Sequence, residues 1–209
     1  MSKAQEQGLS DGTAMGALYL AIIHYPVLDK RGDIVATSIT NLELHDVARS
    51  CMTFGVELCY IVTPLPKQAG IAEKLIEHWA SGYGALYNPD RAKALTKIKI
   101  VGDIDEMMQE VRAAGNPFVI GTSSRQGSDT LTYEDLRRRI LKDDRPFLLL
   151  FGTGWGLPPV VTEQCESMLM PIRGRGDYNH LSLRVAIGII LDRILGERGE
   201  DHERDYRSA

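Results

Sequence analysis

Two stretches in the last third of the chain decide how it is read: Leu148–Leu157, LLLFGTGWGL, and Met168–Ile194, MLMPIRGRGDYNHLSLRVAIGIILDRI. Each opens on a short, almost continuously apolar run, the pattern of a strand covered on both faces. Each then breaks into glycines: Gly152, Gly154 and Gly156 in the first, Gly174 and Gly176 in the second. Pro158-Pro159 follows the first loop, where a short helix over Pro159–Cys165 fits before the next strand, Met168–Ile172. A long apolar helix, Leu181–Leu195, closes the unit. Two Gly-rich loops therefore follow two consecutive strands.

The same alternation runs through the rest of the chain. Further apolar runs at Ala17–Tyr25, Val56–Val62, Ile98–Val101, Phe118–Gly121 and Phe147–Phe151 read as strands. Amphipathic stretches with recognisable starts lie between them. Thr40-Asn41-Leu42-Glu43 reads as a capping box for a helix over Leu42–Phe54, which Gly55 ends. Asp103 can cap Ile104–Ala114, and Thr132 opens Tyr133–Lys142. The expected fold is α/β, a mostly parallel sheet with helices on both faces.

In such sheets ligands bind outside the carboxyl ends of the strands. Three polar loops occupy that position: Thr122–Ser124, Gly152–Leu157 and Arg173–Asn179. Glycine there lets a flat ligand approach the backbone. No Lys-Ser/Thr pair follows these glycines, so a P-loop is excluded. The spacing G-x-G-x-G with two prolines behind it also departs from the G-x-G-x-x-G dinucleotide fingerprint, which disfavours a nucleotide-dependent oxidoreductase.

With 209 residues, one domain accounts for the chain: a flexible leader over 1–15, a domain over 16–196, and a charged tail over 197–209. The net charge of -4 argues against a polycationic nucleic-acid binder but leaves room for a local basic patch. No run approaches the roughly 18 apolar residues of a membrane span, and Met1–Thr13 lack the order of a signal peptide. Cys51, Cys59 and Cys165 form no C-x-x-C pair and read as three buried thiols in a reducing cytoplasm. His24, His45, His78 and His180 show no metal-ligand spacing, so no metal is expected; only His180 lies beside a candidate loop.

The run LLLFGTGWGL followed by MLMPIRGRGDYNHLSLRVAIGIILDRI resembles the second and third motifs of the SPOUT methyltransferases, the trefoil-knotted RNA methylases. Asn41, Asp46, Arg49 and Phe54-Gly55-Val56 are similar to the first motif of that superfamily. The likeness is nearest to members without an added RNA-binding domain. Two departures stand out: Thr153 where many members carry Asn or Ser followed by Glu, and an Arg-Gly-Arg-Gly-Asp insertion before Asn179.

The resemblance implies a C-terminal deep trefoil knot and S-adenosylmethionine as cofactor. It implies an RNA substrate, tRNA or rRNA, and a homodimer. A knotted protein that binds RNA or cofactor without catalysis is the alternative. Carried over by position, Thr122 and Ser123 line the adenosine side, and Gly152, Thr153, Gly154, Gly156 and Leu157 offer backbone contacts. Ile172, Arg173, Tyr178, Asn179 and Leu181 close the adenine pocket, and Trp155 is placed to shield it.

For catalysis the resemblance points to Arg49, Asp177 and Asn179. Arg49 would orient the substrate, with Asp46 one turn earlier holding its guanidinium. Asp177 is the candidate proton acceptor for a ring nitrogen, or a turn residue; Asn179 bonds the cofactor or caps the last helix. Arg137-Arg138-Arg139, Lys142, Arg145, Arg173 and Arg175 either form a phosphate-binding rim or pair with Glu134, Asp135, Asp143 and Asp144. The last helix is apolar nearly all round, as expected if core and a partner copy both cover it.

Overall fold

Alternating burial along one strand shows how the layers form. In Phe147–Gly152, Phe147, Leu149 and Phe151 face one core cluster while Leu148 and Leu150 face another. The two-residue period of a strand puts successive side chains on opposite faces, so only helices on both sides can cover it. In the computed structural model, which describes residues 15–81, 83–125, 127 and 130–197, that is the arrangement found. The expected leader before Met15 and the tail beyond Glu197 lie outside the described residues.

The strands are β1 (Leu18–Ile23), β2 (Val27–Leu28), β3 (Ile34–Val35), β4 (Leu58–Val62), β5 (Ile98–Val101), β6 (Phe118–Gly121), β7 (Thr130–Leu131), β8 (Phe147–Gly152) and β9 (Ser167–Leu169). The helices are α1 (Asn41–Thr53), α2 (Pro66–Ala80), α3 (Tyr83–Tyr87), α4 (Pro89–Leu95), α5 (Ile104–Ala113), α6 (Tyr133–Lys142), α7 (Pro159–Thr162) and α8 (Leu183–Leu195). Seven strands make one sheet in the order β5-β4-β1-β8-β6-β9-β7, and every pairing in it is parallel. β2 and β3 form a separate antiparallel hairpin.

One face of the sheet is covered by α1, α4, α6 and α8 through residues such as Leu44, Val47, Leu95, Leu136, Ile187 and Leu191. The other is covered by α5 and α7 through Met107, Val111 and Val161, with Val27 and Leu157 beside them. Each fully buried aliphatic side chain contributes about 1.5–3 kcal/mol. Caps fall where the residue types require them: the side chains of Thr40, Asp103 and Thr132 accept from Glu43 N, Glu106 N and Asp135 N.

Several elements differ from the sequence reading. The first strand stops at Ile23 rather than Tyr25, because His24 turns into a buried pairing with α1. The strand expected over Met168–Ile172 ends at Leu169, and the three residues after it line a cavity instead. The short helix is Pro159–Thr162 and the last begins at Leu183, capped by Ser182. Helices α2 to α4, the β2–β3 hairpin and β7 have no counterpart in the sequence pattern; α2 starts at a proline with no side-chain cap, which leaves little local signal. Cys51 and Cys59 are buried, whereas Cys165 is partly exposed.

The order of strands positions the site. The chain builds β1, β4 and β5 outward in one direction, then begins again at β6 on the far side, with β8 filling the gap between β1 and β6. The loops after β1, β8, β6 and β9 consequently lie side by side at the carboxyl edge. Such a reversal is where open α/β sheets place ligands.

Candidate cofactor cleft at the carboxyl edge

The loop after β8 is held largely by its backbone. Gly152 has no room for more: a Cβ would stand 2.6 Å from Leu157 N and 2.8 Å from the Gly156 carbonyl carbon. Gly154 and Gly156 have φ of +58° and +103°, the left-handed region that favours glycine. The β2–β3 hairpin zips onto this loop, with Trp155 N donating to Leu28 O at 2.9 Å and Leu28 N donating to Gly156 O at 3.0 Å. The Thr153 hydroxyl, 3.0 Å from Ile23 O, adds a side-chain tie to the same turn.

The loop after β6 is tied back into the sheet. Thr122 donates to Leu150 O from both its backbone N (3.0 Å) and its Oγ1 (2.9 Å). The loop after β9 crosses to meet it, and Asn179 Nδ2 donates to Ser124 O at 3.0 Å. Tyr133 of α6 supports the same segment by donating its hydroxyl to Met170 O at 2.8 Å. Asn179 thus bridges two loops and leaves the cap of α8 to Ser182.

Together these loops enclose a cavity of about 520 Å³, within the size range of ligand pockets. Thr122 and Ser123 from the first loop line it, as do Gly152, Thr153, Gly154 and Gly156 from the second. From the third come Ile172, Asn179 and Leu181, while Trp155, about half exposed, and His180 also line it. Leu157 packs instead into the core on the opposite sheet face, Tyr178 is 83% exposed, and neither is part of the wall, nor is Arg173. Arg49, exposed on α1, and Asp177, exposed on the third loop, stand outside the cavity.

Three sequence readings require correction. Asp46 pairs with Arg184 of α8, not with Arg49, because α8 packs across α1 and brings that guanidinium closer. Arg137 donates to Gly196 O at 2.7 Å and Ile194 O at 3.2 Å, satisfying the carbonyls at the end of α8. Arg145 is similarly occupied by Pro117 O, Asn116 O and Glu166, and Arg138 pairs with Asp135. Arg137 and Arg145 therefore hold the fold, and Arg138 pairs with Asp135 as the paired-surface reading has it.

The third correction concerns Glu43. Its backbone N is capped by Thr40, but its carboxylate does not return to close a capping box. It turns inward and meets His24, whose Nε2 lies 2.8 Å from Glu43 Oε1. The pair is buried, with His24 1% and Glu43 6% exposed, and Glu43 lines the cavity. His24 Nδ1 lies 3.0 Å from Thr37 Oγ1, which lies 2.5 Å from Thr153 Oγ1 in the Gly-rich loop. No signal along the chain links His24 to Glu43, because the pairing joins the end of a strand to the first turn of a helix.

Among the described residues no group of His, Cys, Asp and Glu side chains is arranged to hold a metal ion, and no helix is long and apolar enough to cross a membrane.

Known proteins resemble the chain at the level of family, sequence and fold. A sequence profile of the family described as SAM-dependent RNA methyltransferase matches residues 17–196. A tRNA (guanine-N(1)-)-methyltransferase of Nitratidesulfovibrio vulgaris is 43% identical over 193 residues, which is 91% of this chain but 45% of that protein. The chain thus spans about half the length of this curated relative. An uncharacterized protein of Aquifex aeolicus is 37% identical over 179 residues, covering 85% of this chain and 87% of its own. Among solved structures, the TrmH/SpoU tRNA modifying enzyme of A. aeolicus superposes with a TM-score of 0.54 at 16% identity, over 91% of this chain and 81% of that one. At that identity the likeness concerns the fold, the α/β arrangement with a mostly parallel sheet that the sequence leads one to expect.

Proposed function

The chain belongs to the SAM-dependent RNA methyltransferase family, and from this premise we propose that it methylates a tRNA, using the cavity at the carboxyl edge to hold S-adenosylmethionine. The observation that carries the reading is the convergence of three loops from neighbouring parallel strands on one cavity. The donor set suits the cofactor. Gly152, Gly154 and Gly156 put no side chain on the cavity wall, Ile172, Pro171 and Leu181 supply apolar faces for a purine, and Thr122 and Ser123 supply hydroxyls. Glu43 supplies a negative charge for a cationic ligand.

S-adenosylmethionine brings an electrophilic methyl group on a sulfonium, so the protein has only to place the acceptor and manage its proton. Asn179 keeps two walls of the cleft together through Ser124. Arg49 and Asp177 act from outside the cavity, on the RNA or in a neighbouring copy's site. A homodimer is in keeping with the surface: Leu42 of α1, Val185 of α8 and nearby Leu181 are 60%, 49% and 43% exposed on adjoining elements. A second copy covers these residues, and the loop segments thread as the trefoil knot of the SPOUT enzymes. The site of action is the cytoplasm. The name of the N. vulgaris relative makes guanine N1 of tRNA the acceptor to test first.

Calorimetric titration with S-adenosylmethionine, followed by transfer of labelled methyl to unfractionated tRNA and mass spectrometry of the nucleosides, tests this. Cofactor binding with methylguanosine formation is expected. Cofactor binding without transfer to any RNA would leave a knotted binding protein, and no cofactor binding would end the reading.

A further inference from the structure

Glu43 is the only carboxylate among the described residues that line the cavity. A carboxylate is costly to bury unless it is paired and hydrogen-bonded, and this one takes a single side-chain partner on Oε1, His24 Nε2 at 2.8 Å. Among the described hydrogen bonds none is made by Oε2. The imidazole is backed in turn by Thr37 at 3.0 Å and, through it, by Thr153 at 2.5 Å. The network begins at an acid on the cavity wall and ends in the Gly-rich loop.

Hydroxyl orientation gives this network two complete settings. In the first, Thr153 donates to Thr37, Thr37 donates to His24 Nδ1, and Nε2–H donates to an ionised Glu43. In the second, Thr153 donates to Ile23 O, 3.0 Å away, Thr37 donates to Thr153, and Nδ1–H donates to Thr37. His24 and Glu43 then share one more proton than before. Turning two hydroxyls thus lets the pair store a proton while the contacts from Glu43 through His24 and Thr37 to Thr153 all stay made; the bond from Thr153 to Ile23 O belongs to the second setting alone.

We infer that Glu43 is the proton acceptor of the methyl-transfer reaction and that His24 is its positioning residue. This rests on the cavity being the methyl-donor site. As the acceptor's lone pair forms the new bond to the methyl carbon, the former carbon–sulfur pair stays on sulfur. The acceptor's N–H or O–H proton passes to Glu43 Oε2, leaving its bonding pair on the acceptor. Charge balances across the step: a sulfonium cation and a carboxylate anion would be consumed, and a neutral thioether and a neutral acid would remain. Asp177, on the exposed loop outside the wall, has no comparable desolvated partner charge.

The test compares Glu43→Gln, Glu43→Asp and His24→Asn with the unaltered protein by two readouts. Calorimetry gives the affinity for S-adenosylmethionine relative to S-adenosylhomocysteine, which lacks the cationic centre. Single-turnover transfer to unfractionated tRNA gives the rate. Glu43→Gln should bind the neutral product as before, bind the cation about fivefold or more weakly, and lose about 100-fold or more in rate. Glu43→Asp should keep the affinity ratio and recover part of the rate, and His24→Asn should slow transfer with the product still bound. An unchanged affinity ratio in Glu43→Gln overturns the proposal, and so does an unchanged rate. Should Glu43→Gln fail to bind the product, Glu43→Asp decides: loss of its cation preference overturns the proposal. An unaltered protein that binds the cofactor but methylates no tRNA refutes the tRNA reading alone, and the rates are then read on total RNA; transfer to no RNA overturns the proposal as well. One that binds neither cofactor form overturns both.

Discussion

The side-chain amide of Asn179 donates to the carbonyl of Ser124 across 3.0 Å, joining the loop after β9 to the loop after β6. These residues stand 55 apart in the chain, and both line the same cavity. The clasp holds the cleft's width. Asn179→Ala and Asn179→Asp each remove the donor and should weaken cofactor binding by about 2- to 10-fold, the worth of one hydrogen bond at about 0.5–1.5 kcal/mol. Titration calorimetry measures this directly, with the melting temperature lowered by no more than about 6 °C. Undiminished affinity in both variants would mean that the clasp does not shape the site.

Gly152→Ala tests the turn itself. The added methyl would meet Leu157 N and the Gly156 carbonyl carbon, both backbone atoms that cannot rotate away. Thermal unfolding should show a loss of about 1–3 kcal/mol, with cofactor binding abolished. Gly176→Ala is the control, since nothing lies within 4 Å of its added carbon. A Gly152→Ala protein as stable as the control would contradict the geometry.

Arg137 and Arg175 should separate fold from RNA contact. Arg137 satisfies two carbonyls at the end of α8, so Arg137→Ala should lower stability by about 1–2 kcal/mol and leave RNA affinity unchanged. Arg175 is exposed on the third loop. Arg175→Ala should weaken RNA binding and reduce the salt-dependence slope by about one. Filter binding across a salt series reads both, and the opposite pattern would return the basic cluster of α6 to the RNA-binding surface.

His45 should titrate below the ordinary histidine value. Burial opposes its charged form first, and the Arg91 and Arg49 guanidinium groups add repulsion, against a smaller pull from Asp46. Its ring packs edge-on against Trp79 at 5.7 Å, and its Nδ1 has no hydrogen-bond partner. In the unfolded chain the same imidazole binds a proton near pH 6.5. Between that value and the lower folded one the unfolded state holds more protons, so stability falls as pH falls through the window. Arg91→Gln should raise the midpoint seen by proton NMR; a folded midpoint at or above 6.5 would refute the assignment.

How far the amino-acid order carries, and where it stops, follows from the range of the interactions involved. Period-two burial in Phe147–Phe151 and the caps at Thr40, Asp103 and Thr132 involve neighbours a few residues apart, and all were legible. So were the glycines at 152, 154 and 156, whose backbone geometry admits few alternatives. Helices α2 to α4 were not, because α2 lacks a side-chain cap and α3 and α4 are brief. Glu43 is the most instructive case. Its local context spells a capping box, and only the placing of β1 beside α1 supplies His24 as the stronger partner for a desolvated carboxylate. Likewise Asp46 has Arg49 one turn away along the helix, yet α8 brings Arg184 from 138 residues on. Local chemistry thus specified the strands, turns and loops that can make a cofactor cleft. Which charges meet inside it was decided by the order of strands and the packing of helices, since a buried charge takes whichever partner the fold brings close, at whatever distance along the chain.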